Sequence, residues 1–126
     1  MIVRTVIEIL GAPREHVDKT LKMVVDKANS AFKIRDKKIY DAAEYKKLWS
    51  AFTELEIEFK DVNALIGFCF DYMPSSIEVL EPNEFNYKNM EFNGFVNDLL
   101  ARLHKYDMIL KNLKAENILL KKEKKV

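Results

Sequence analysis

A chain of 126 residues, 48% hydrophobic and 33% charged, has room for one packed core and the composition of a folded domain. A net charge of +1 gives no global pull toward nucleic acid, and a single cysteine, Cys69, excludes an intrachain disulfide. No apolar run reaches the roughly 20 residues of a membrane span, and MIVRTVIEIL lacks a signal peptide's charged n-region and cleavage site, so a cytoplasmic protein with no membrane partner is expected.

Residues 2–10, IVRTVIEIL, alternate Val3, Thr5, Ile7 and Ile9 with Arg4 and Glu8, which predicts a strand. Gly11-Ala12-Pro13 breaks it, and Pro13 suits the first position of a helix. Val17, Leu21, Val24, Val25 and Ala28 then recur at helical spacing as far as Asn29-Ser30. AFKIRDKKIY predicts a weaker second strand whose lysines and Arg35 suit a sheet edge. DAAEYKKLWS fits either a short helical turn or an irregular connection between strands. In TELEIEFK, Leu55, Ile57 and Phe59 point one way while Glu54, Glu56 and Glu58 point the other, the cleanest strand signal in the chain. Asp61 is placed to cap a helix over VNALIGFCFDYM, with Val62, Leu65, Cys69 and Tyr72 on one stripe and Phe68 beside it. Pro74 ends that helix, and IEVL forms a last short strand with Ile77 and Val79 inward.

The order strand, helix, strand, strand, helix, strand predicts an α+β fold, a ferredoxin-like βαββαβ sandwich over residues 1–82 with the first and third strands central. A bridging segment, 83–94, leads to a long C-terminal helix over 95–126. There Val96, Leu103, Leu110 and Asn117 fall at heptad position a, and Leu99, Tyr106, Leu113 and Leu120 at d. In a parallel pair of such helices Arg102 would face Asp107, and Glu116 would face Lys121. One amide at an a position pairs with its twin and fixes register and two-strandedness. The competing reading is a helix folded back on its own domain. Leu100, Ile109, Ile118 and Leu119 lie off the seam and make the stripe wider than a simple zipper needs.

Chemistry is sparsely marked. On the predicted sheet's open face Glu8, Glu54, Glu56, Glu58 and Glu78 are offset by Arg4 alone, which would repel phosphate and excludes RNA binding there. GFCFDYMPSS gathers Cys69, Asp71 and Tyr72, but a nucleophilic cysteine wants a histidine base and a positive setting. His16 and His104 stand in no motif, and Cys69 reads as a packing thiol. Trp49 is either a core anchor or a contact at an interface. The basic tail KKEKKV reads first as a solvated helix end, and otherwise as a contact for nucleic acid, anionic lipid or an acidic partner. No phosphate loop, paired-cysteine motif or nucleophile elbow occurs, so no catalytic residue, cofactor or metal is expected, and the protein is not expected to be an enzyme.

LWSAFTELEIEF followed by GFCFDYMPSSIEVLEP, residues 48–82, resembles a group of small archaeal proteins to which no role attaches. TELEIEFKDVNALIGFCFDY with IEVLEPNEF is similar to the C-terminal extension domain of WYL-type regulators. The resemblance implies a strand, a helix and a "VLEP" strand before a final helix, without the regulators' core or DNA-binding part. EILGAPREHVDKTL looks like the ligand loop of ACT domains, which implies amino-acid binding near Gly11, Ala12 and Pro13 at a subunit interface. Two functions are therefore expected. The first is a non-enzymatic, self-associating interaction or regulatory module, a homo-oligomer (dimer or higher) that could also meet another protein through its long helix. The second is an ACT-like amino-acid sensor.

Overall fold

A computed structural model describes residues 1–124, so the last two residues of the basic tail lie outside the described residues. The fold is α+β, with a five-stranded antiparallel sheet and three helices. The chain divides into two units, Met1–Asn86 and a second that begins at Tyr87.

In the first unit the elements are β1 (Ile2–Gly11), α1 (Arg14–Ala31), β2 (Lys33–Ile39), β3 (Ala43–Tyr45), β4 (Leu48–Glu58), α2 (Val62–Tyr72) and β5 (Ser76–Glu81). The strand order is β2-β4-β1-β5, with β3 pairing to β4. The two strands with the strongest alternation are therefore the central ones. They pair along their length, with Val3 opposite Ile57, Thr5 opposite Leu55, Ile7 opposite Thr53 and Ile9 opposite Ala51. This register puts the apolar set of both strands on one face, because a strand's side chains alternate with period two.

Both helices cover that face. Val3, Ile7, Leu55, Ile57 and Phe59 join Ala28 of α1 and Leu65 and Phe68 of α2 in one buried cluster. A second cluster gathers Val17 and Leu21 of α1 with Ala42 and Ala51, and Ile9 and Trp49 pack beside it. Phe68 is the aromatic hub. Its ring stacks on Tyr72 at 4.7 Å and meets Phe32 and Phe59 edge-on at 5.4 and 5.3 Å. Rings at such spacings add specific attraction to the burial term. Two threonines stand in the core, each with a backbone acceptor. Thr5 donates to the Ser76 carbonyl and Thr53 to the Lys38 carbonyl, so neither hydroxyl weakens the sheet.

The helix ends follow the sequence closely. Asp61 caps α2 by accepting from the Ala64 amide at 2.8 Å. Pro13 is the N-cap of α1 and not its first helical residue, and α2 ends on Met73 in the left-handed region at φ 48°. The ambiguous stretch DAAEYKKLWS resolves as a hairpin. Ala43–Tyr45 pairs with Leu48–Ser50 around Lys46, which takes a positive φ of 58°, and Trp49 lies within β4.

The second unit contains α3 (Asn89–Lys124), a helix of 36 residues. It starts six residues before the expected position, within the bridging stretch. Glu91 in its first turn suits the positive end of the helix dipole, and its carboxylate accepts from the Lys88 amide. Tyr87 and Phe95 meet edge-on at 4.9 Å across that start.

Candidate functional site

On α3, none of the described residues is buried. Val96, Leu99, Leu103, Tyr106, Leu110, Leu113 and Leu120 are between 37% and 64% exposed, and Asn117 is exposed with them. At 1.5 Å per residue such a helix runs roughly 54 Å, and its heptad positions form one continuous stripe. Leu100, Met108, Ile109, Ile118 and Leu119 are exposed beside it, so the apolar surface is broader than a two-stranded seam. Two charges expected to reach a partner helix are engaged within α3 itself. Arg102 pairs with Asp98 at 3.3 Å and Asp107 with Lys111 at 2.8 Å, both at i,i+4 spacing. Exposed pairs of this kind are weak, so they compete with an inter-helix arrangement without forbidding it.

The open face of the sheet carries its charge in a small network. Arg4 reaches Glu54 at 3.2 Å, Glu56 at 3.1 Å and Glu78 at 3.5 Å. The hydrogen bond that Arg4 donates to Glu56 and the surrounding carboxylates hold the Arg4 guanidinium protonated even beyond its ordinary range. Glu58 pairs with Lys33 on the edge strand, so Arg4 is not the sole counter-ion on this face. Arg4, Asp36, Lys38, Glu54 and Glu56 line a cavity of about 230 Å³. Among the described residues, no group of three or more His, Cys, Asp or Glu is placed to hold a metal ion.

The same face has an apolar end that sequence periodicity did not show. Phe52 stacks on Tyr40 at 4.5 Å, and Leu10, Tyr45 and Leu48 are exposed nearby in the register of β1, β3 and β4. Phe52 lies just before the alternating run TELEIEFK, and Leu10 closes IVRTVIEIL at a position on the same side as Arg4 and Glu8.

The remaining candidates separate in space or chemistry. Gly11 ends β1 opposite Trp49, Ala12 and Pro13 connect it to α1, and Arg14 lies over the Trp49 ring at 5.2 Å beside them. Cys69 is half-buried against the main core cluster, and desolvation pushes its thiol up from the ordinary range. A raised thiol is a poor nucleophile at neutral pH. The Tyr72 hydroxyl is raised by burial and, less, by the charge of Asp71.

A family model describes residues 2–125, almost the whole chain. The chain belongs to the MJ0538 family. No curated protein and no solved structure matches it. No described helix is long and apolar enough to cross a membrane.

Proposed function

We propose that the protein is a non-enzymatic interaction or regulatory module that self-associates through α3. One observation carries this reading: a 36-residue helix with an uninterrupted heptad stripe buries none of its described residues. Exposed apolar stripes of this length are interaction surfaces far more often than solvated ones. A second copy of the chain is the natural occupant, because the stripe is self-complementary. Each Leu meets a Leu, Asn117 meets its twin, and Glu116 meets Lys121 in a parallel two-stranded coiled coil. The basic end of α3 remains available to a further protein partner. Light scattering tests the proposal: a mass of two or more chains supports it, and a mass of one chain at all concentrations rejects it.

For the first unit the finer reading is a ferredoxin-like βαββαβ sandwich with β3 as an added hairpin strand, supported by the central position of β1 and β4. A cytoplasmic location and an archaeal source belong to the same proposal, resting on the lone cysteine and on the LWSAFTELEIEF resemblance.

The second reading is an ACT-like sensor with its ligand near Gly11, Ala12 and Pro13. It is favoured by the exposure of Ala12 and Pro13 at the junction of a central strand and its helix. A thermal-shift screen against amino acids separates the two, because a ligand that binds the folded state alone raises the unfolding temperature.

A further inference from the structure

The open sheet face is divided into two halves of opposite character. Around Arg4, each strand contributes charge. Four and six residues farther along β1, the register brings Glu8 opposite Phe52 and Leu10 opposite Ser50, and β3 adds Ala43 opposite Ser50 and Tyr45 opposite Leu48. Together Glu8, Leu10, Ala43, Tyr45, Ser50 and Phe52 line a cavity of about 360 Å³, to which Glu44 also contributes. That volume lies in the range of sites that enclose small molecules. We propose that this cavity is a binding site for a small organic cation, an ammonium group carried on an apolar alkyl or aryl body.

The charges select the cation. The charged residues lining the cavity are both acidic, Glu8 and Glu44; Glu8 shares the open face with Phe52, whereas Glu44 lies opposite Trp49 in the register. The Glu8 carboxylate accepts a hydrogen bond from the Ser50 hydroxyl at 2.9 Å and, among the described residues, makes no ion pair. A carboxylate has about four acceptor positions, so Glu8 keeps capacity for a donor with a positive charge. Its neighbour on β4, Glu54, is already held by Arg4 and also accepts from the Tyr40 hydroxyl at 3.4 Å. Arg4 is therefore committed to its own three carboxylates and does not neutralise Glu8. An anion or a nucleic-acid phosphate would meet repulsion here.

The rings select the body of the ligand. Phe52 and Tyr40 present a stacked pair, and Tyr45 is 60% exposed at the hairpin. Aromatic faces attract cations as well as apolar groups. Tyr45 already does so, since the ammonium of Lys46 lies 5.5 Å from its ring centroid. Lys46 sits on the exposed turn and is the cation that a ligand would displace. A neutral hydrocarbon would leave Glu8 unused, and a free inorganic cation would leave Leu10, Tyr45 and Phe52 unused.

Nuclear magnetic resonance titration of the full chain with phenethylamine tests the site. Phenethylamine is expected to shift the backbone amides of Leu10, Ser50 and Phe52 saturably. Its neutral analogue 2-phenylethanol is expected to bind about tenfold more weakly, the scale of one lost charge-assisted hydrogen bond. Glu8→Gln should remove the preference for the amine, Phe52→Ala should weaken both ligands, and Lys46→Ala should tighten the amine by removing its competitor. Glu8, Phe52 and Lys46 are exposed, and an unchanged unfolding temperature shows that each variant folds. Equal binding of amine and alcohol overturns the proposal, as does shift confined to other residues or no saturable shift. Binding of an acetylated, amidated Leu-Lys-Leu peptide without binding of phenethylamine also overturns it, and assigns the patch to a basic protein segment.

Discussion

Strand β4 and helix α3 carry equally regular apolar patterns and meet opposite fates. In β4 the patterned residues Ala51, Thr53, Leu55 and Ile57 are each fully buried, because α1 and α2 of the same chain lie over them. In α3 the heptad leucines stay exposed from Val96 to Leu120. Periodicity states which face of an element should leave water, and it does not state what will cover it. In the first unit the chain supplies the cover. For α3 the proposed cover is a second copy.

The sharpest contrast comes from truncating one side chain on each side of this divide. Phe68→Ala removes the ring that contacts Phe32, Phe59 and Tyr72, and should destabilise the first unit by about 3–5 kcal/mol in denaturant unfolding. Leu113→Asp should leave the core of that unit intact while reducing the solution mass to one chain, since a carboxylate at position d is desolvated only in the assembly. If Leu113→Asp unfolds the whole chain and Phe68→Ala does not, the division between the two regions is wrong.

Asn117 tests specificity within α3. A buried amide without its twin costs about 1–3 kcal/mol, which penalises every register but the matched one. Asn117→Leu should raise the unfolding temperature and broaden the distribution of oligomers seen by light scattering. A sharper distribution would place the amide outside the seam.

Smaller effects belong to the first unit. Met73 is 74% exposed and holds the left-handed cap of α2, so Met73→Gly should stabilise by up to about 1 kcal/mol, read from thermal unfolding. Burial raises the Cys69 thiol and keeps it protonated to higher pH than a free cysteine. Alkylation near pH 8 should therefore run slower in the native protein than in denaturant. The sign for stability follows: the neutral thiol is favoured in the fold, so Cys69's contribution is intact below its unfolded value and declines as pH rises toward its folded one.

Much of this architecture is legible in the sequence, for local reasons. TELEIEF, the Asp61 cap and the heptads of α3 each depend on residues close together in the chain. The β3–β4 hairpin is not legible, because Ala43–Tyr45 is too short to show a period and its turn uses Lys46 where glycine or asparagine would mark it. The start of α3 is hidden by the asparagines of FNYKNMEFNG and by Gly94, residues that signal loops yet are tolerated in a helix. The cavity beside Glu8 is the least legible feature. Leu10, Tyr45 and Phe52 come from three strands and Tyr40 follows a fourth, and only long-range register brings them to one end of the sheet. The acidic half of the same face is visible because its glutamates alternate within a single strand.

Whether α3 joins two copies is decided by the mass of the wild-type chain in solution, measured by light scattering across a wide concentration range. A mass of at least two chains, falling toward one only on dilution, is expected. A mass of one 14.8 kDa chain at every concentration would contradict it.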